Sequence, residues 1–367
     1  MTSAASGSPD RPNLRALLGA GAGVLLIAGL KLAAPILVPI AFALFLGVLV
    51  QPLFQALLKR RVPITLAVLS TMLVLAAVAA LFVLLLLGSL GELRDVGPTY
   101  YAQFQERASY TVDWWQSKGI SILDLVPPKY RRPEAIVEVA GGAIKGLLNL
   151  ASQITIMLLT LIFVLVEAAA LPAKLERLPP RYREALLRFS PVSRELQRYL
   201  LIKTTMSLAI GLVAGLWITI LGVDFPVLWG IVAFACHFIP NVGAILAAAP
   251  PMLLAFAQHD LGKALAVLAG YLVIGTLLGN LLEPALLGRR LGMSTLVVFL
   301  SLVFWGWLWG PVGMLLSVPL TGTIKILLER SASWAWVATL LDSSNRRTMA
   351  PLAEAPEAPV ARLSRGA

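Results

Sequence analysis

Long stretches without a single aspartate, glutamate, lysine or arginine run through this chain of 367 residues. They cover 16–30, 32–58, 62–91, 204–223, 225–259, 264–282 and 291–324, and a further stretch at 146–171 is interrupted only by Glu167. About 20 apolar residues cross the hydrocarbon core of a bilayer. Most of these stretches are therefore long enough to span a membrane, and the two longest are long enough to cross it twice.

The composition excludes the other common classes of protein. Apolar residues make up 58% of the chain and charged residues 13%, whereas soluble domains are about a quarter charged. A soluble globular domain, a disordered chain and a disulfide scaffold are therefore excluded. The sequence predicts an all-α fold, namely a polytopic helical bundle in a membrane, with the lipid bilayer as its main partner.

Few residues are available for catalysis or for binding a cofactor. The single cysteine, Cys236, has no partner for an internal disulfide, and two histidines are too few for a multi-histidine metal centre. We therefore expect no enzyme activity, no cofactor and no metal. In a polar protein, a net charge of +11 would indicate binding to nucleic acid. Here the basic residues flank apolar stretches, so we expect no nucleic-acid partner.

The distribution of basic residues predicts the orientation in the membrane. Segment 172–203 holds eight basic and three acidic residues, whereas 92–145 holds seven of each. Because cytoplasmic loops are enriched in lysine and arginine, we expect 172–203 inside and 92–145 outside. Both termini are then cytoplasmic.

This orientation divides the chain into seven parts. A cytoplasmic tail (1–13) precedes three transmembrane spans (14–91), an extracytoplasmic amphipathic domain (92–145) and a fourth span (146–171). Basic cytoplasmic interfacial helices (172–202), a transport core (203–328) and a cytoplasmic tail (329–367) follow.

Proline and glycine interrupt both of the longest apolar stretches near the middle. The interrupting residues are Pro240, Asn241 and Gly243 in the first stretch, and Gly310, Pro311 and Gly313 in the second. Each half is then about 15 residues, or roughly 22 Å of helix, which is short of the roughly 30 Å core. Two broken, re-entrant helical hairpins fit better than four crossings. The spans beside them run in opposite directions, so we expect the hairpins to have inverted topology.

The two hairpin tips form the predicted substrate site. Paired breaks of this kind point to a transporter's binding site, because backbone groups freed at a tip need a ligand, an ion or water as partners. The predicted site residues are Pro240, Asn241, Gly243, Gly310, Pro311 and Gly313, with Asn241 as the preferred polar ligand. Proline kinks packed against neighbouring helices are the structural alternative.

Three polar residues are predicted to act in coupling or gating. Glu283 lies three residues after Asn280 at the cytoplasmic end of a span, and an acid inside the membrane is a functional candidate because burying its charge is costly. An ion pair with Arg289 or Arg290 is the structural alternative. The third residue, His237, precedes the first tip and titrates near neutral pH, although a neutral, hydrogen-bonded helix histidine is the simpler interpretation.

The C-terminal half also contains several long, specific strings of residues. They include Phe238-Ile239-Pro240-Asn241-Val242-Gly243, Asn280-Leu281-Leu282-Glu283-Pro284 and Trp305-Gly306-Trp307-Leu308-Trp309-Gly310-Pro311-Val312-Gly313. On these strings the chain resembles the autoinducer-2 exporter (AI-2E) family of bacterial permeases. The resemblance implies a multi-spanning inner-membrane permease, which exports a quorum-sensing signal in one branch of the family and exchanges sodium or protons in another. His237 departs from the pattern, since an apolar or small residue is expected there.

Three functions stay open at this point. The first is a secondary exporter of a small polar metabolite such as autoinducer-2, working by alternating access and coupled to protons, to sodium or to neither. The second is a sodium/proton antiporter in which Glu283 exchanges a proton for sodium. The third, from another class, is a non-transporting membrane scaffold. Homo-oligomerisation is open as well, because Gly211 and Gly215 have the spacing for helix association within or between chains.

Overall fold

The structure is a computed structural model that describes residues 11–117, 134–187, 190–240, 242–287, 293–329 and 335–341. The helices, in chain order, are α1 (Arg11–Leu32), α2 (Ala34–Lys59), α3 (Ile64–Ser117), α4 (Glu134–Glu176), α5 (Pro180–Leu187), α6 (Ser190–Leu221), α7 (Pro226–His237), α8 (Val242–Gln258), α9 (Leu261–Ile274), α10 (Glu283–Leu287), α11 (Thr295–Glu329) and α12 (Ala335–Leu341). A π-helical segment, Gly275–Leu282, joins α9 to α10. Within the described ranges there is no β-strand, and the prediction of an all-α fold is confirmed.

In the part of the chain that the structure describes, six helices are long and apolar enough to cross a membrane. They lie at Ala34–Lys59, Ile64–Arg107, Ile156–Glu176, Arg194–Leu221, Leu261–Leu287 and Thr295–Glu329. Three apolar helices, Gly21–Leu32, Pro226–His237 and Val242–Gln258, are shorter. Many leucines on the outer faces are exposed in the isolated chain, which suits helices surrounded by lipid rather than by water. The protein is therefore a multi-pass membrane protein.

The third and fourth helices are much longer than a bilayer is thick. Helix α3 has 54 residues and α4 has 43, which correspond to about 80 Å and 65 Å of helix. Helix α3 continues without interruption through the predicted boundary at 91–92, so the predicted extracytoplasmic domain begins within this helix. The two helices pack against each other.

The N-terminal half has its own apolar core between α2, α3 and α4. Its buried residues include Ala43, Phe54, Ala67, Leu161 and Leu165. The helices approach closely because small residues lie at the contacts.

The C-terminal half is organised by an antiparallel pair, α6 and α7. Gly215 packs beside Pro226, Gly211 lies against Gly230, and further along α6 Lys203 contacts His237. The small-residue face of α6 is thus used for packing within the chain, where the sequence left packing within or between chains open. This pairing places the start of α7 at the end of α6 and carries the end of α7 back towards the beginning of α6.

Helices α7 and α8 form a helical hairpin, called here the first hairpin. The chain turns at Phe238–Pro240, the first tip, and α8 then returns to the level at which α7 began. The backbone N–H of Asp224 donates to Oε1 of Gln258 at 3.2 Å, and Nε2 of His259 lies 3.1 Å from the carbonyl oxygen of Gly222. Both ends of the hairpin therefore lie at the α6–α7 loop. With 12 residues, α7 is only about 18 Å long.

Helix α11 is bent back on itself at Gly310, and its two arms are called here the second hairpin. Gly310 has φ 66° and ψ −148°, a conformation that is open essentially to glycine alone. Nε1 of Trp305 donates to Oγ1 of Thr321 at 3.0 Å. In a straight helix these residues would be about 24 Å apart, so the chain reverses between them. Both apolar stretches therefore break where the proline and glycine residues predicted it, while the disposition of the hairpins in the membrane stays a prediction.

Candidate functional site

Three ionisable side chains from three separate segments meet below the first tip. Nζ of Lys203 on α6 lies 2.9 Å from Oε1 and 3.2 Å from Oε2 of Glu283, the first residue of α10. Nε2 of His237, the last residue of α7, lies 2.7 Å from Oε2 of the same carboxylate and 3.3 Å from Nζ of Lys203. We call these three residues the ion cluster.

Two members of the ion cluster, Lys203 and Glu283, lie in helical segments of membrane-spanning length, and His237 ends the shorter α7. Lys203 and Glu283 are each 7% exposed. Removing an ion from water costs several kcal/mol, and a pair recovers this only when its geometry is good and its remaining hydrogen bonds are made. Charged residues inside membrane helices therefore mark functional positions by default. The ion cluster meets that description within the described part of the chain.

The short contact between His237 and Glu283 fixes the position of one proton. A carboxylate oxygen and a bare imidazole nitrogen are both acceptors and would repel each other at 2.7 Å. A proton must therefore lie between Nε2 and Oε2, so that in the ionised carboxylate state Nε2–H donates to Glu283. Nδ1 of the ring is then the atom that can take up or release a further proton.

A π-helical segment delivers Glu283 to the ion cluster. The N–H of Glu283 bonds to the carbonyl oxygen of Leu278, five residues back rather than four. Such segments are rare and occur often at functional sites. A Cβ at Gly279, within this segment, would lie 3.3 Å from Cε1 of His237, so the glycine leaves room for the ring. Asn280, also predicted to act in coupling, lies exposed on the same segment.

The two hairpin tips share a glycine-dependent close approach. At the first tip, a Cβ on Gly243 would collide with the backbone carbonyl oxygen of Cys236, on the incoming helix. At the second tip, a Cβ on Gly313 would collide with the carbonyl oxygen of Trp305 in the same way. Pro240 and Pro311 lie at the two turns. The paired proline and glycine breaks seen in the sequence thus correspond to a similar backbone approach at both tips.

Asn241, the preferred polar ligand, lies outside the described residues, and its predicted role stays a prediction. The other tip residues are divided between two places. Pro240 and Gly243 are close in sequence to His237 and so to the ion cluster. Gly310, Pro311 and Gly313 lie at the second tip, where α1 is the neighbour.

The second tip is attached to the end of α1. Nε1 of Trp309 donates to the carbonyl oxygen of Leu30 at 3.3 Å. The ammonium of Lys31 lies 3.8 Å from the centre of the Trp307 ring, which is a cation–π contact. Trp305 and Trp309 share a face, with their ring centres 5.0 Å apart.

Sequence reasoning missed Lys203. The sequence offered Arg289 or Arg290 as partners of Glu283, but those arginines lie outside the described residues, and both carboxylate oxygens contact Lys203 instead. Lys203 had been counted among the basic residues of a cytoplasmic loop. The sequence did contain a signal for Lys203. Residues 199–202 and 204–223 include no aspartate, glutamate, lysine or arginine, which indicates that this lysine lies inside a helix of the bundle.

A second group of contacts fastens α3 to the loops at the ends of the first hairpin. The hydroxyl of Tyr100 donates to Asp224, and the rings of Phe104 and Phe256 lie 5.6 Å apart, edge to face. Partial burial, helped by the ammonium of Lys263, lowers the pKa of His259 below its ordinary value. The ring is therefore neutral at pH 7, and its Nε2–H donates to Gly222. Tyr100 thus packs against the α6–α7 loop.

An all-helical membrane bundle that encloses an ion cluster beneath a broken helical hairpin has the architecture of a permease. Residues 22–333 match the sequence profile of the AI-2E family transporters, and the chain belongs to this family. The match covers both hairpins and all three residues of the ion cluster.

Individual relatives agree along nearly the whole chain. TqsA of Escherichia coli (strain K12), named an AI-2 transport protein, is 40% identical over 334 residues, which are 91% of this chain and 97% of TqsA. YhhT of the same strain is 30% identical over 343 residues, 94% of this chain and 98% of YhhT. A Haemophilus influenzae protein is 33% identical over 334 residues, 89% of this chain and 96% of its own length. The chain is therefore an AI-2E family permease.

Proposed function

We propose that this permease is a secondary transporter that exports a small polar solute across the bacterial inner membrane. The observation that carries the proposal is the ion cluster enclosed beneath the first tip. Autoinducer-2 is the first solute to test, because TqsA, which is 40% identical, is named for its transport. A non-transporting scaffold gives no reason to keep three ionisable groups in a membrane bundle.

The first hairpin is the proposed moving gate. Its α7 arm, at about 18 Å, is shorter than the roughly 30 Å hydrocarbon core, and both of its ends lie at the α6–α7 loop. These features support a re-entrant hairpin that enters and leaves on one side. With 172–203 in the cytoplasm, that side is the outside, and the ion cluster lies towards the cytoplasm.

Alternating access follows from this arrangement in outline. The contact between His237 and Glu283 joins the tip side of the first hairpin to α10, so breaking this contact frees the tip to move. The proposed solute contacts are the residues of the two tips, namely Pro240, Asn241 and Gly243 at the first and Gly310, Pro311 and Gly313 at the second. Glu283 and His237 gate the movement from below, with Asn280 beside them on the π-helical segment.

A sodium/proton antiporter is the second candidate, and the observation that favours it is the enclosed carboxylate of Glu283. An antiporter of that kind needs a carboxylate that can coordinate sodium. Here Lys203 contacts both oxygens of Glu283, and His237 contacts one of them. Export of a solute is therefore the better-supported function.

Proteoliposomes loaded with labelled autoinducer-2 test the proposal directly. Liposomes that contain the purified protein should release the label faster than protein-free liposomes loaded in the same way. The Glu283→Gln variant should release it at nearly the protein-free rate. Glu167→Gln is the matched control, because Glu167 forms an exposed pair with Lys174 at 2.7 Å and lies outside the ion cluster. Wild-type efflux equal to that of protein-free liposomes would refute export of this solute.

Thiol protection tests the proposed tip site. A cysteine placed at Asn241, in a background in which Cys236 is replaced by alanine, should react with a membrane-impermeant thiol reagent, and added autoinducer-2 should slow that reaction. A cysteine at Gly88, on α3, supplies the control for non-specific effects of the solute. Equal reaction rates at Asn241→Cys with and without solute would remove the first tip from the binding site.

A further inference from the structure

The ammonium of Lys203 occupies the position directly in front of the Glu283 carboxylate. Its Nζ lies 2.9 Å and 3.2 Å from the two oxygens, so a single cation is shared by both. The side chain comes from α6 and the carboxylate from α10, which are separated by 80 residues of sequence. The carboxylate thus already carries a cation that is covalently attached to the protein.

We propose that Lys203 is a tethered substitute for a metal cation: it excludes sodium from Glu283 and leaves the proton, taken up by His237, as the coupling ion. The inference rests on the proposed function, in which Glu283 gates the transport cycle. It assigns to Lys203 a role in ion selection that is distinct from binding the solute.

Charge balance favours this assignment. The ammonium of Lys203 and the carboxylate of Glu283 cancel each other, so the ion cluster is neutral when His237 is neutral. A sodium ion would either expel Lys203 into an apolar bundle or add an uncompensated charge that must be coordinated there, and either step is costly. A proton on Nδ1 of His237 adds the same unit of charge, but it needs no coordination shell and displaces no side chain, because Nε2–H still donates to Glu283.

His237 lies where a proton would act on the gate. It is the last residue of α7, and its contact with Glu283 joins the first tip to α10. Proton uptake at the imidazole would change the strength of this contact. Protonation strengthens this contact with the carboxylate, and deprotonation weakens it.

The charged side chains that contact the imidazole directly are Lys203 and Glu283. Cys236 precedes His237 on α7, Tyr199 of α6 lies within electrostatic reach of Glu283, and Tyr271 of α9 lies within that of Cys236. Phenols ionise near pH 10 and thiols near pH 8.5 in water. Helix α8 contains no ionisable residue. Helix α3 contacts α7 through the rings of Phe82 and Phe234, which lie 6.0 Å apart.

Sodium binding can be measured without knowing the solute. The melting temperature of the detergent-solubilised protein is followed in sodium chloride and in choline chloride at equal ionic strength. Wild-type protein should show no difference, because a ligand stabilises the folded state only if it binds it. Lys203→Ala should acquire a saturable, sodium-specific rise of a few degrees as the ion enters the vacated position. Lys174→Ala, which removes the ammonium of an exposed ion pair, is the matched control and should show none.

Two results on melting temperature would overturn the inference. One is a sodium-specific, saturable rise in the wild-type protein. The other is a folded Lys203→Ala or Lys203→Gln variant that does not respond to sodium. The glutamine variant keeps a polar side chain that is one atom shorter than lysine and removes the charge, in case the alanine variant does not fold.

Imposed ion gradients in proteoliposomes supply an independent test on the wild-type protein. Autoinducer-2 efflux should respond to a pH gradient and not to a sodium gradient. Efflux driven by sodium alone would overturn the assignment of the ion. Absence of efflux under every gradient would instead count against the proposed solute, while the sodium-binding measurement would still decide the role of Lys203.

Discussion

Gly211→Ala is expected to force α6 and α7 apart. An added Cβ would lie 2.7 Å from the carbonyl oxygen of Gly230 and 2.9 Å from Cβ of Phe234. The oxygen belongs to the backbone, so neither contact can be relieved by rotating a side chain. To reach an ordinary van der Waals distance the helices must separate by about 0.7 Å at this point.

The free-energy cost follows from two opposing effects. Overpacking a tight contact costs about 1–3 kcal/mol, and replacing glycine by alanine within a helix returns about 1 kcal/mol. Gly88→Ala, on α3, is the matched control, because nothing lies within 4 Å of its added Cβ. This variant therefore shows only the gain from replacing glycine by alanine in a helix. The two variants should therefore differ in unfolding free energy by about 1–3 kcal/mol.

Thermal unfolding in detergent, followed by tryptophan fluorescence, measures this difference. Gly211→Ala should melt a few degrees below Gly88→Ala. Gly230→Ala forces the same two helices apart, so the double variant of Gly211 and Gly230 should lose less stability than the sum of the single changes. Equal melting temperatures for Gly211→Ala and Gly88→Ala would show that the close packing of α6 on α7 is absent.

Three further changes test other contacts by the same melting measurement. Gly270→Ala places a Cβ into the indole of Trp217 and should destabilise the protein by about 1–3 kcal/mol, and no change in melting would contradict that packing. Tyr100→Phe removes one hydrogen bond to the α6–α7 loop, at a cost of about 1 kcal/mol, and an unchanged melting temperature would place this tyrosine elsewhere. Lys203→Met and Glu283→Leu should each destabilise by about 3–5 kcal/mol, whereas the double variant should lose much less than their sum; additive losses would show that the two charges do not interact.

The positions of the hairpin breaks could be predicted from the sequence because their causes are local. Proline lacks the N–H that an interior helical position donates, and glycine tolerates both the left-handed backbone at Gly310 and the carbonyl that approaches Gly243. A few neighbouring residues are enough to specify a turn of this kind. The same information could not show how deeply a hairpin lies in the membrane.

The ion cluster could be predicted only in part, because its contacts are not local. Glu283 and His237 stood out as ionisable residues in apolar surroundings. Lys203 lies 80 residues from Glu283 and next to a run of loop charges, so only the antiparallel packing of α6 on α7 reveals the contact. The boundary predicted at 91–92 is not a helix end: charged residues at 92–95 do not stop a helix, and α3 continues past Pro98, so the end of the third span stays a prediction.

The attachment of α1 to the second tip makes the N-terminal region mechanically relevant. Leu30 and Lys31 hold Trp309 and Trp307, and α2 begins at Ala34. A bulky fusion placed ahead of α1 would therefore be connected, through α1, to the second tip and could alter its position. Affinity tags at that end should be compared with tags at the other end before any rate is assigned to the native permease.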